Sequence, residues 1–123
     1  MLIEETAEEL SAALIAAPTT RAFLRTDGRG GLVVSTGLEV DVATELAERI
    51  DLAIASTTML GRGRFGPPTT LIIEFEGALL LAGVQSWGEH VVVLVEAGAN
   101  VGLVLSRLRR LLSRDARERE QSQ

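Results

Sequence analysis

An α/β fold in which helices cover a sheet on both faces follows from three features of this 123-residue sequence. Hydrophobic spacing switches between helical and strand periods, in the order helix, two strands, helix, three strands, helix. The links between the last three strands, Glu76-Gly77 and Gln85 to Glu89, are too short for crossovers, so those strands pair antiparallel. Two of them, through Leu79-Leu80-Leu81 and Val91 to Val95, are apolar on both alternating faces, which calls for cover on both sides.

The first helix is carried by Ile3, Ala7, Leu10, Leu14 and Ala17, with Glu4, Glu5, Glu8 and Glu9 mostly between them; Pro18 stops it. Ala22 to Thr26 and Leu32 to Ser35 form a hairpin across Asp27-Gly28-Arg29-Gly30-Gly31. Asp41 offers a cap to a second helix striped by Ala43, Leu46, Ala47, Ile50, Ala53 and Ile54 and running to about Leu60. A further line through Glu45, Glu48, Leu52, Ala55 and Met59 starts charged and turns apolar, which gives this helix two neighbours. After a Gly- and Pro-rich loop come strands over Thr69 to Phe75, Ala78 to Val84 and His90 to Val95. Asn100 caps a last helix built on Val101, Val104, Leu105, Leu108, Leu111 and Leu112. One domain over residues 1–114 is expected, followed by a polar tail, 115–123, frayed or disordered because it shows no apolar period.

Composition narrows the function. A hydrophobic fraction of 46% excludes a disordered chain, and the absence of cysteine removes disulfides, thiolate zinc sites and cysteine nucleophiles. The acidic start Met1-Leu2-Ile3-Glu4-Glu5 is unlike a secretory signal, and no apolar run approaches a membrane span. A cytoplasmic location is the expectation. The net charge of −5, with three Phe and one Trp for stacking, disfavours nucleic acid. All twelve basic residues are arginine.

Little here suggests catalysis. Gly61-Arg62-Gly63-Arg64-Phe65-Gly66 matches G-x-G-x-x-G, but phosphate binding needs a strand before the loop and a helix after it, and here the order is helix, loop, Pro-Pro, strand. His90, the sole imidazole, has no second histidine or cysteine for a metal set and reads as structural or surface. Glu74 and Glu76 would share one strand face, where they could hold a cation or act as an acid/base pair, but they read better as a solvated hairpin end. Trp87, in a turn, suits either a core cap or a partner anchor. No catalytic residue, cofactor or metal is assigned.

The order of elements, together with Gly98-Ala99-Asn100-Val101-Gly102-Leu103-Val104 opening the last helix, the Asp27-Gly28 hairpin, Leu60-Gly61-x-Gly63 ending the second helix and Ile73-Glu74-Phe75-Glu76-Gly77 before Leu79-Leu80-Leu81, resembles the roadblock/dynein-light-chain family over about Ile3 to Ser113. The resemblance implies a five-stranded antiparallel sheet with the central helix on one face and the terminal helices on the other. It also implies a homodimer paired through the second helix and third strand, and a non-enzymatic adaptor. Bacterial and archaeal members, the MglB-like regulators, bind or activate Ras-like small GTPases, while others are structural scaffold subunits for kinase, motor or membrane-associated complexes. Arg29-Gly30-Gly31 lengthens the first hairpin beyond the family's tight turn.

The expected dimer interface is Leu46, Ile50, Ala53, Leu71, Ile72 and Ile73; left alone, the third strand would be an apolar edge open to aggregation. Glu45, Glu48, Arg49 and Leu52, off the core stripe and mixing charge with apolar area, are the expected contacts to the GTPase or other signalling partner.

Overall fold

The computed structural model describes residues 4–85 and 87–122. In chain order the elements are α1 (Ala7–Ala16), β1 (Thr20–Thr26), β2 (Leu32–Thr36), α2 (Val40–Thr57), a 3-10 turn (Leu60–Gly63), β3 (Thr70–Glu74), β4 (Ala78–Val84), β5 (His90–Glu96) and α3 (Val101–Gln121). The strands form one antiparallel sheet in the order β2-β1-β5-β4-β3. The hairpin β1–β2 and the meander β3–β4–β5 are therefore joined side by side through β1 and β5, with Phe23 opposite Val93 and Leu24 opposite Val92. Ile3 and Gln123 lie outside the described residues.

Strand alternation divides the core. Phe23, Leu79, Leu81, Val91, Val93 and Val95 face one side, where Ala7 and Leu14 of α1 and Val104, Leu108 and Leu111 of α3 cover them. Their neighbours Ala22, Leu24, Leu80, Ala82 and Val92 face the other, against Ala43, Ile50 and Ile54 of α2. The double-sided apolar runs in β4 and β5 thus fill two cores, as their sequence required. Gly83 lets α3 approach β4 closely: a Cβ there would stand 2.4 Å from Leu112 Cδ1.

The helix starts follow capping chemistry. Thr6 Oγ1 accepts the Glu9 amide (3.1 Å) and Asn100 Oδ1 the Leu103 amide (3.1 Å). α2 instead begins at Val40 with Glu39 in the cap position and no side-chain cap bond, which puts Asp41 in the first turn, where the helix dipole favours it. It ends at Thr57, short of Leu60; Thr57 and Thr58 hydroxyls both donate to the Ile54 carbonyl (2.8 and 3.0 Å) and the chain tightens into the 3-10 turn.

Two expectations need correction. The segment expected to be a frayed or disordered tail from Asp115 is helix as far as Gln121, because its polar groups are used in the fold. Asp115 accepts from Arg25 and from Gln85 Nε2 (2.8 Å each), Glu118 accepts from the Ala7 amide (2.8 Å) and Arg114 Nε (2.9 Å), and Arg119 lies over the Trp87 ring at 4.7 Å. Glu74 and Glu76 do not share a strand face, since β3 closes at Glu74 and Glu76 stands in the turn where the Phe75 amide meets the Ala78 carbonyl (2.8 Å).

Candidate functional site

α2 packs closest to β1 and β2. On the same face of the sheet, the β3–β4–β5 half carries Leu71, Ile73, Val84 and Leu94, all only partly buried. Beside them β3 is an edge strand, and Ile72, on its opposite side, is 44% exposed. α2 thus seals the middle of this face, through Leu24, Leu80, Ala82 and Val92, and leaves Leu71, Ile73, Val84 and Leu94 only partly covered, with the β3 pair beside an edge that has unpaired backbone groups.

The flanks of α2 differ. Glu48, Leu52 and Ala55 turn toward the first hairpin and, with Gly28, Arg29, Gly30 and Asp51, line a cleft of about 370 Å³. Leu52 is 64% exposed there. Leu46 and Ala53, seven residues apart, share the opposite flank and are partly buried. Of the residues expected at a dimer interface, Leu46, Ala53, Leu71, Ile72 and Ile73 keep accessible surface. Ile50 does not: at 4% exposed it belongs to its own protomer's core, since its place between Ala47 and Ile54 on the apolar stripe points it at the sheet. Of the expected partner contacts, Glu48 and Leu52 stand together at the hairpin cleft. Arg49 reaches back toward Glu45 (3.9 Å) on the outer surface, an exposed pair that contributes little to stability.

Beneath the cleft lies a group that the sequence reading passed over. Asp51, 3% exposed, sits on the apolar stripe of α2 and accepts three hydrogen bonds: from Thr26 Oγ1 (2.7 Å) and the His90 ring at Nδ1 (2.5 Å) on Oδ1, and from the Gly30 amide (2.7 Å) on Oδ2. His90 is buried, with its ring held against Asp51. The Thr26 hydroxyl donates to the Asp51 carboxylate and accepts the Gly28 amide, so both of its hydrogen-bonding roles are used within the fold. A charged residue in the middle of a helix's apolar stripe was the available signal. Its partners are far away in sequence.

Asp51 and Asp27 together hold the lengthened hairpin. Asp27 Oδ1 accepts the amides of Arg29 (2.8 Å) and Gly31 (2.9 Å) and Thr26 Oγ1 that of Gly28 (3.3 Å), so four successive amides are satisfied by side chains of the fold. Gly28 has φ +83°, and a Cβ there would come within 1.8 Å of the Gly88 carbonyl oxygen, so the loop abuts the β4–β5 turn. The amides of Arg29 and Gly31 hold the Asp27 carboxyl below the usual carboxylate range. A depressed pKa in the folded state contributes order that is present above the ordinary value of about 3.9 and is lost as pH falls through the lower folded value. Protection factors at the Arg29 and Gly31 amides, taken relative to the unfolded chain at each pH, are therefore expected to hold at pH about 4 and to fall only below it; with Asp27→Asn the protection at both amides should fall already at neutral pH. Unchanged protection in that variant would mean that Asp27 does not hold the loop.

The glycine-rich segment Gly61 to Gly66 runs from the 3-10 turn through a loop into β3, with Gly63 and Gly66 at positive φ and no helix N-terminus following. Among the described residues no group of three His, Cys, Asp or Glu side chains could hold a metal, and no helix is long and apolar enough to cross a membrane.

No protein-family profile and no curated protein matches the chain. Solved structures do. A Roadblock/LC7 domain from Streptomyces avermitilis superposes with a TM-score of 0.76 at 18% identity, over 89% of this chain and 93% of that one. Myxococcus xanthus MglB gives 0.76 at 19% identity over 98% and 95%, and the gliding protein MglB from Thermus thermophilus gives 0.75 at 19% over 91% and 89%. The chain has the roadblock/LC7 fold, as the order of its elements implied.

Proposed function

We propose that this protein is a non-enzymatic homodimeric regulator that binds a Ras-like small GTPase. The observation that carries the reading is the partly covered apolar margin of the α2 face beside the open β3 edge. A second copy related by a two-fold axis would bring its α2 over Leu71, Ile73, Val84 and Leu94 and its β3 against the open edge of this β3, so both defects are removed at once. Pairing of this kind leaves Glu45, Glu48, Arg49 and Leu52 of the two central helices on the outer surface for a further protein. The likeness in fold to the MglB structures supports the GTPase as that protein, through what the family resemblance implies for such regulators.

Such a regulator needs no nucleotide chemistry of its own. Ordering the partner's catalytic groups from outside lowers its barrier, and each tenfold gain in turnover corresponds to about 1.4 kcal/mol. The test is to mix the purified chain with the nearest encoded Ras-like GTPase and to measure binding and GTP turnover. Leu52→Glu and Arg49→Glu are expected to weaken binding about tenfold or more while the fold is kept, because both side chains are exposed. Binding without any change in turnover would make the protein a scaffold subunit; no binding would end the GTPase reading.

A further inference from the structure

We propose that the groove between α1 and α3 is a docking site for an acidic segment of a partner protein, and that the chain's own Glu4 and Glu5 occupy part of it until that partner binds. The groove lies in the layer that covers the sheet face opposite α2, so this site is separate from the surface proposed above for a GTPase and does not depend on it.

Arg107, Arg110, Arg114 and Arg117 follow one another at steps of three and four residues, which sets them in one row along α3 over about 15 Å. The row borders two adjoining crevices of about 410 and 360 Å³, which share Glu5, Leu10 and Arg110. The crevice that Arg107 borders is apolar on its α1 side, through Ala13, Leu14, Ala16 and Ala17.

The structure shows what the row takes, because part of it is filled. Glu4 reaches Arg114 with one carboxylate oxygen (2.7 Å) and Arg117 with the other (3.3 Å), and Glu5 reaches Arg110 (3.1 Å). Both acids precede the cap residue Thr6 and so lie outside α1, as a strap. Among the described residues no backbone hydrogen bond holds them. The strap is therefore fixed by ion pairs whose carboxylates are exposed, and pairs of that kind hold weakly. Arg114 keeps a second carboxylate, Glu118 (2.9 Å), if the strap leaves. Arg107 forms no ion pair among the described residues, and Ala13 and Ala16 beside it are exposed. An incoming acidic segment can replace the strap carboxylates, add one at Arg107 and lay apolar side chains over Ala13 and Ala16. It then makes every contact of the strap and two that the strap lacks. A helical segment of about ten residues matches the length of the row. A membrane or nucleic acid suits the site less, because the exposed Glu8 and Glu9 on α1 and the net charge of −5 repel an extended polyanion.

Fluorescence anisotropy is the test. The probe is a labelled peptide of about ten residues built from glutamate and leucine, and its control carries glutamine in place of glutamate. The glutamate peptide should bind at about 50 mM salt and about tenfold more weakly at about 500 mM, while the glutamine peptide should not bind. Arg107→Glu and Arg110→Glu should each weaken binding about tenfold with unchanged circular dichroism, since both side chains are exposed. Arg64→Glu, the same change of charge in the loop before β3, should leave it unaltered. Glu4→Gln combined with Glu5→Gln should tighten binding about three- to tenfold, because the competing carboxylates are gone. Equal binding of the two peptides, or an equal loss with Arg64→Glu, overturns the proposal. So does a failure of the glutamate peptide to bind the Glu4→Gln/Glu5→Gln variant at about 1 mM, where nothing competes for the row. Unchanged affinity in that variant overturns the role of the strap. Vesicles of about 30% phosphatidylserine that bind where the peptide does not would make the row a membrane contact and overturn it as well. None of these measurements uses a GTPase or a residue of α2, so the two readings fail separately.

Discussion

Asp51→Ala is expected to destabilise the protein by about 2–5 kcal/mol, because it strips the acceptor from several buried donors at once. Asp51 accepts from three donors on three different elements: the Thr26 hydroxyl of β1, the Gly30 amide of the hairpin loop and the His90 ring at the start of β5. Alanine leaves all three facing a methyl group, and a buried donor without a partner costs about 1–3 kcal/mol. The terms do not add in full, because the Gly30 amide lies in a half-buried loop and can take up water. Asp51→Asn keeps the shape and one carbonyl oxygen but adds an amide donor, so a loss of about 1–3 kcal/mol is expected. Urea denaturation of the two variants provides the comparison, with amide exchange at Gly30 as the local readout. A loss below about 1 kcal/mol for the alanine variant would show that the three donors find other partners.

This network also marks where sequence reading reaches its limit. β4 and β5 can be read as doubly covered because an uninterrupted apolar run has one physical explanation in an antiparallel sheet, and Asn100 can be read as a cap because a cap bond spans three residues. Asp51 is separated from Thr26 and His90 by 25 and 39 residues, and nothing local links them until the sheet brings β1 beside β5 under α2. The extension of α3 is hidden for the opposite reason. Asp115 and Glu118 look solvated in sequence, but Arg25 and the Ala7 amide are waiting for them. Ile50 goes to the core and not to the interface because a periodic stripe identifies an apolar flank without saying whether its own sheet or a second chain covers it. The cleft beside Leu52 depends on a hairpin whose length is visible in sequence but whose docking on α2 needs the Gly30–Asp51 contact.

Ile72→Glu is expected to raise the dissociation constant of the α2–β3 dimer by about a hundredfold or more, about 3 kcal/mol. Ile72 occupies the middle of the five-residue edge strand, opposite Leu81 of β4, and 44% of it is exposed in the single chain. If two copies pair antiparallel along this edge, the middle residues lie closest to the two-fold axis, so a glutamate there sets like charges across the strand pair and loses the apolar contact as well. Within the protomer the change is mild, because Ile72 is already half in solvent and the α2-side core is built from Leu71 and Ile73 on the other face. Dissociation should therefore appear without unfolding. Val33→Glu on the opposite edge strand, β2, is the control: Val33 is 59% exposed and β2 takes no part in the pairing, so that variant should remain dimeric. Sedimentation equilibrium at micromolar concentration distinguishes the outcomes. If Ile72→Glu stays a dimer while Val33→Glu dissociates, the pairing runs through the β2 edge, and the partner surface assigned to the central helices has to be rebuilt around it.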